Sequence, residues 1–257
     1  MKEKPKKSLG QHWLFDEVIL DSIVKTAGVK TGDNVLEVGP GLGTLTEKLL
    51  ETGAEIYSVE KDEALAYKLR QTLKQDNFKL FINDILQFDL TSLPAGYKVV
   101  ANIPYYLTSH LIRNLTESKN SPQSITLLVQ KEVAERICAK PGHMSLLSVS
   151  AQLYYSCSLS VEVTKDKFTP PPKVDSQVVH LIRKKPEEIP DISTKDFFRV
   201  VKAGFSSRRK TLLNSLSGGL DVDKQAVKEN LEKLGISPSQ RPQELSLSDW
   251  HRLSEKF

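Results

Sequence analysis

Apolar positions follow two alternating rhythms over the first two thirds of the chain. Runs at 33–38 (Asp-Asn-Val-Leu-Glu-Val), 55–59 (Glu-Ile-Tyr-Ser-Val), 78–82, 97–101 and 125–129 (Ile-Thr-Leu-Leu-Val) read as strands. Between them Leu45, Leu49 and Leu50, then Ala64, Leu65, Leu69 and Leu73, recur at helical spacing, and a further helix is predicted over 107–117. Strand alternating with helix predicts a parallel, doubly wound sheet. Strand-like runs at 151–163 and 176–183, with no helix-length segment between them, predict an antiparallel pair that closes it. Pro186 to Pro190 breaks the pattern, and nothing beyond reads as a strand. Ser193 stands three residues before Asp196, as in a helix cap, and Phe197, Val201 and Phe205 follow at intervals of four. Further helical runs at about 222–234 and 247–256 are separated by Gly235, Pro238 and Pro242. The expectation is an α/β domain over 1–185 and a small all-helical domain over 186–257.

In an open α/β sheet, ligands bind beyond the carboxyl ends of the strands, so the residues closing each predicted strand are the first candidates for chemistry. Gly39-Pro40-Gly41-Leu42-Gly43 follows the first strand. Glycines there let the backbone bend sharply and a ligand come close. The spacing lacks the Lys-Ser/Thr of a phosphate loop and brings Gly43 one place earlier than a dinucleotide fingerprint. Alone it suits a tight structural turn as well as a ligand site. Glu60, 17 residues beyond Gly43, ends the next strand, where a carboxylate can accept from the 2′ and 3′ hydroxyls of a ribose. Asp84 ends the third and can accept from an adenine amine. These features fit a nucleoside cofactor without selecting one.

The fourth strand ends on Asn102-Ile103-Pro104-Tyr105-Tyr106. The exocyclic amine of adenine is a poor nucleophile because its lone pair is delocalised into the ring. If the Asn102 amide oxygen and the Ile103 carbonyl accept its two N–H groups, that lone pair can be aimed at an electrophile. Pro104 stiffens the turn and Tyr105 offers a face on which the base can stack.

Composition changes this picture little: 257 residues, 39% hydrophobic and 26% charged, describe an ordinary globular chain. No apolar stretch approaches the roughly 20 residues that span a bilayer, and the lysines of the N-terminus have no apolar core behind them, so neither membrane nor secretion is expected, and a cytoplasmic location is the default expectation. Cys138 and Cys157, 19 positions apart, offer no zinc pattern, and no metal is expected. Charge adds more. A net +4 is unevenly spread, with four lysines against one glutamate in residues 2–7, a cluster over 165–185, and Arg208-Arg209-Lys210. Local basic clusters on a nearly balanced chain suit an anionic polymer, or simply a solvated surface.

The glycine turn, Glu60 and Asn102-Ile103-Pro104-Tyr105-Tyr106 resemble the motifs of S-adenosylmethionine-dependent rRNA adenine N6-dimethyltransferases. So do Ser8 to Leu14, Gln130 to Arg136, Phe168 to Ser176 and Phe205 to Leu212. The resemblance implies a Rossmann-like class I methyltransferase sheet, mostly parallel with an antiparallel closing strand, and a helical C-terminal domain. It implies S-adenosylmethionine as cofactor, contacted by His12, Leu14, Gly39, Gly41, Glu60, Asp84 and Asn102. The family's usual Gln-Asn-Phe-Leu reads Gln11-His12-Trp13-Leu14 here, and Trp13 is expected as a core aromatic. It further implies that Phe168 covers the second face of a flipped base, alongside the catalytic set Asn102, Ile103, Pro104 and Tyr105. The basic clusters are expected to contact phosphates through Arg208, Arg209 and Lys210 and through the lysines near 4–7 and 165–173, Lys173 among them. The implied reaction is dimethylation of two adjacent adenosines near the 3′ end of 16S rRNA in the immature 30S subunit; the oligomeric state is open, with a monomer as the default. Two rivals stay open: a macrolide-resistance enzyme acting on large-subunit rRNA, and a non-catalytic assembly factor on the same scaffold.

Overall fold

The structure is a computed structural model that describes residues 6, 9–207 and 209–257. Two compact units divide the chain: residues 1–135 with 155–183, and residues 136–154 with 184–257. The linear boundary at 185/186 therefore misses one excursion, in which 136–154 leaves the first unit.

In the first unit the elements run β1 (Trp13–Leu14), α1 (Glu17–Ala27), β2 (Asn34–Val38), α2 (Thr44–Leu50), β3 (Glu55–Glu60), α3 (Glu63–Thr72), β4 (Phe78–Ile82), β5 (Lys98–Asn102), α4 (Thr108–Glu117), β6 (Ser124–Gln130) and α5 (Lys131–Ile137), the last crossing the unit boundary. The second unit then takes α6 (Leu146–Tyr154), and the first regains β7 (Tyr155–Val163), β8 (Phe168–Thr169) and β9 (Ser176–Arg183). Seven strands form one sheet in the order β4-β3-β2-β5-β6-β9-β7. The first five are mutually parallel, and β9 runs antiparallel to both β6 and β7. The closing pair is thus as expected, except that residues 151–154 belong to a helix. The central strands carry buried side chains almost throughout, which is why they read as unbroken apolar runs.

From β2 the chain steps outward to β3 and β4, then returns to β5 on the other flank of β2. The crevice beyond the carboxyl ends of β2 and β5 is therefore the switch point of the sheet. Local chemistry sets the helix starts around it. Asp16 caps α1 by accepting from the Ile19 N–H, and Asp62 caps α3 through Ala64. A separate ribbon pairs β1 with β8 in antiparallel register, Trp13 with Thr169 and Leu14 with Phe168.

Glu37, on β2, is 1% exposed. Its Oε2 accepts from Thr46 Oγ1 at 2.8 Å and Ser58 Oγ at 2.7 Å. Burial outweighs those hydroxyls and pushes its carboxyl up to about 7.

The second unit is wholly helical, adding α7 (Thr194–Gly204), α8 (Leu212–Leu220), α9 (Lys224–Lys233) and α10 (Leu247–Ser254) to α6. Ser193 caps α7 by accepting from the Asp196 N–H. Phe197, Val201, Leu216, Leu231 and Trp250 share a core with Val149 and Leu153 of α6, the burial that makes this helix part of the second unit. Helix α8 ends in Gly218 and Gly219, which differ in surroundings. A Cβ on Gly219 would lie 2.7 Å from both Cα and Cβ of Ala203 on α7, whereas one on Gly218 would meet nothing within 4 Å.

Adjacent glycines in one helix should therefore respond oppositely. Gly218→Ala should stabilise the protein by up to about 1 kcal/mol through helix propensity, and Gly219→Ala should destabilise it by about 1–3 kcal/mol through overpacking; urea unfolding of both variants checks the signs. Glu37 gives a pH dependence. Its folded pKa lies above the unfolded value near 4.5, so its contribution to stability is full below that value and is lost as pH rises toward about 7. Between pH 5 and 8 the unaltered protein should lose up to about 3 kcal/mol relative to Glu37→Gln, read from paired unfolding curves.

Candidate functional site

Four strand ends meet one cavity in the first unit. The turn after β2 contributes Gly39 and Gly41, β3 ends on Glu60, Asp84 follows β4, and β5 ends on Asn102. The arm before α1 adds His12, Trp13 and Leu14, and the corner after β5 adds Ile103, Pro104 and Tyr105. Every residue expected to contact a cofactor thus lines a single cavity at the switch point.

The glycines divide the work of the turn. Gly39 has φ +68°, and a Cβ there would meet nothing within 4 Å, so the missing side chain leaves room for a ligand. Gly43 instead has φ +90° and a Cβ would lie 2.6 Å from Leu69 Cδ2, a packing demand of α3. Glu60 is 6% exposed and accepts from the Gly41 N–H at 3.1 Å and the Asp62 N–H at 2.8 Å. Burial raises its pKa, and the backbone donors oppose that shift. Each carboxylate oxygen keeps a further lone pair for a ligand hydroxyl. Asp84 accepts from Lys61 Nζ at 2.8 Å and from the Leu86 N–H at 3.0 Å, and the Lys61 bond holds its carboxyl below the ordinary range.

At the fourth strand end, Asn102 Nδ2 donates to the His12 carbonyl at 3.3 Å. The donor end of the amide is thereby engaged and Oδ1 is left as the acceptor. Tyr105 is fixed at several points. Its hydroxyl pairs with Ser176 Oγ at 2.7 Å, its carbonyl accepts from Thr108 Oγ1 at 3.1 Å, and the His12 ring stacks on it with centroids 5.8 Å apart and planes 19° from parallel. His12 Nδ1 donates to the Pro170 carbonyl at 2.7 Å, which leaves Nε2 as the other ring nitrogen able to accept.

Phe168 departs from expectation. It is 3% exposed and packs in the hydrophobic core, because its pairing with Leu14 in the β1–β8 ribbon turns the ring inward. The structure does not bring it to the cavity, and the ring found against Tyr105 is His12. Of the phosphate-contact candidates, Lys173 is exposed in the first unit, and Arg209 and Lys210 are exposed in the second. Arg208 lies outside the described residues, as do the lysines at 2, 4 and 7. Lys6 pairs with Asp62 at 2.8 Å.

Four residues escaped the sequence reading. Trp13 lines the cavity instead of the core. Lys61, next to Glu60, pairs with the acid of the following strand. Ser176 anchors Tyr105 from β9. Glu37 had a readable signal, a carboxylate inside the apolar run Val35-Leu36-Glu37-Val38 directly before the glycine turn.

Among the described residues no helix is long and apolar enough to cross a membrane, and no group of three His, Cys, Asp or Glu is placed to hold a metal ion. A profile of the ribosomal RNA adenine dimethylase family matches residues 2–257. "Ribosomal RNA small subunit methyltransferase A" of Dehalococcoides mccartyi (strain CBDB1) is 41% identical over 258 residues, covering 99% of this chain and 89% of the relative. The protein of the same name from Clostridium botulinum (strain Loch Maree / Type A3) is 41% identical over 255 residues, covering 97% and 92%. Among solved structures, a dimethyladenosine transferase from Plasmodium falciparum superposes with a TM-score of 0.79 at 27% identity, covering 94% of this chain and 96% of that one. The 23S rRNA methyltransferase ErmE gives 0.75 at 26% identity, covering 95% and 98%. A mostly parallel sheet with an antiparallel closing strand, a glycine turn and an acid at successive strand ends, and a match over nearly the whole length lead to one conclusion: the chain belongs to the ribosomal RNA adenine dimethylase family of class I methyltransferases.

Proposed function

We propose that this protein dimethylates N6 of two adjacent adenosines near the 3′ end of 16S rRNA, acting as a cytoplasmic monomer on the immature 30S subunit with S-adenosylmethionine as methyl donor. The observation that carries this reading is the Asn102 corner, where an amide oxygen is left free beside a stacking ring at the switch point of the sheet. The small-subunit names of the bacterial relatives favour 16S over 23S rRNA as the substrate.

The cavity fits the cofactor on two counts. Gly39 leaves open space where any side chain would intrude, and Glu60 and Asp84 present acceptors on neighbouring strands for a ribose diol and an adenine amine. When bound, S-adenosylmethionine supplies an electrophilic methyl group on a cationic sulfur. The chain's own residues supply position. Asn102 Oδ1 and the Ile103 carbonyl accept the two N–H groups of the target amine, which draws its lone pair out of conjugation. Pro104 restricts the turn, and Tyr105, held by Ser176, presents a fixed ring to the flipped base. A neutral amine attacking a cation develops no negative charge, so the site needs acceptors for the amine protons more than a strong base. Lys173, Arg209 and Lys210 are assigned to phosphates, which sets affinity more than sequence.

Asn102→Ala should slow methyl transfer by about a hundredfold or more through lost orientation and weaken S-adenosylhomocysteine binding far less than it slows transfer; single-turnover assays on 30S and 50S precursors check the rate and the substrate together. Near-normal turnover in that variant, or methyl groups found only in 50S particles, would overturn the reading. Arg209→Ala should weaken RNA binding evenly across sequences and reduce the salt slope by about one ion, measured by titration at several salt concentrations.

A further inference from the structure

The turn that follows β5 carries a ring assigned to neither the cofactor nor the target base. Tyr105–Leu107 form a single helical turn in which consecutive side chains leave in three directions. Tyr105 is tied to Ser176 and Leu107 is buried, so Tyr106 is the one that points outward, at the rim of the cavity. At 60% it is the most exposed tyrosine or phenylalanine among the described residues.

The ring is backed and aimed. Gly10 lies against it: a Cβ there would stand 3.5 Å from Tyr106 Cε1 and 3.6 Å from Cδ1, at a φ of +60° that favours glycine. The Lys61 ammonium, paired with Asp84 at 2.8 Å, is within electrostatic reach of the Tyr106 phenol. The Tyr105 hydroxyl runs the other way, to Ser176 on β9. Along the row β3-β2-β5-β6-β9, Lys61 and Ser176 stand on opposite flanks of β5. The two tyrosines therefore diverge and do not form a clamp on one base.

What Tyr106 can hold follows from what its neighbour holds. Their Cα atoms are about 3.8 Å apart, and the nucleotides on either side of a flipped base are each joined to it by one phosphodiester. Flipping leaves those neighbours with a face unstacked. A neutral aromatic face supplies what they have lost, whichever base is present. A phosphate finds less there, because the nearby ammonium of Lys61 is already balanced by Asp84.

We infer that Tyr106 stacks on a base immediately adjoining the target adenosine, replacing the partner that flipping removes. The inference rests on the flipped-adenosine reading above and adds a second base contact to it.

Single-turnover methylation of small-subunit precursors at sub-saturating enzyme tests it with three variants. Tyr106→Ala and Tyr106→Leu should slow transfer by about five- to fiftyfold, and Tyr106→Phe, which keeps the ring, should stay within about twofold of the unaltered protein. All three should bind S-adenosylhomocysteine as the unaltered protein does. Cofactor binding lost in step with transfer would make the ring a cover for the cofactor and overturn the inference, as would full activity in Tyr106→Ala or in Tyr106→Leu. The decisive measurement places an abasic residue immediately 5′ or immediately 3′ of the target in the rRNA. At one of these positions the lesion should slow the unaltered protein by a similar factor and Tyr106→Ala no further, because both changes remove the same contact. Losses that multiply at both positions, or a lesion without effect at either, would overturn the inference. No transfer to intact small-subunit particles by the unaltered protein would instead remove the proposed function itself, and this contact with it.

Discussion

The hydrogen bond from Asn102 Nδ2 to the His12 carbonyl sets which end of an amide is free, and the chemistry of the cavity turns on that choice. An amide has a donor end and an acceptor end, and an amine brought in for methylation presents two donors. With Nδ2 engaged, the acceptor remains; rotated by half a turn, donor would face donor and the amine would be repelled. The His12 carbonyl is available because Trp13 and Leu14 pair with Thr169 and Phe168, and because the His12 ring is tied to Pro170. A two-residue ribbon outside the main sheet thus orients the side chain that closes its fourth strand. That ribbon also explains the buried ring of Phe168: the pairing that secures the arm spends this aromatic on the core.

Much of the first unit was legible because buried parallel strands leave unbroken apolar runs, and the strand ends then name their own candidates. Gly39, Glu60, Asp84 and Asn102 were found that way, and the structure gathers them at one cavity. The failures have physical causes. Helix α6 passes straight into β7 at Tyr154 and Tyr155 with no glycine or proline between them, so a single apolar run concealed a change of period and a change of unit. Helix α8 ends in Leu-Ser-Gly-Gly-Leu, a poor helical sequence that pays its propensity cost for close approach to Ala203. Trp13, Lys61 and Ser176 act through partners distant in sequence, and spacing carries no trace of such contacts.

Electrostatics gives the cavity a direction. Lys61 balances Asp84 and keeps it a pure acceptor, as suits a residue that must accept from an amine. Glu60 and Glu37 have no such partner among the cavity's side chains, and burial raises the pKa of each. A cation placed beside them reverses that shift by favouring the ionised carboxylates, and a neutral ligand does not.

On the proposed reading, those acids also bear on how an RNA would approach. A phosphate brought near Glu60 would meet a buried carboxyl group that offers it no charge partner, while a neutral base meets hydrogen-bond acceptors and the face of Tyr105. Lysines and arginines assigned to the backbone, such as Lys173 and Arg209, are exposed residues that do not line the cavity. On the proposed reading, backbone and base are sorted by charge: phosphates would be held where the surface is basic, and the cavity would admit the part of the nucleotide that carries no charge. On that same reading, extrusion of the base from its stack would satisfy both demands at once, because a flipped nucleotide could reach the acceptors at Asn102 while its phosphates stayed outside.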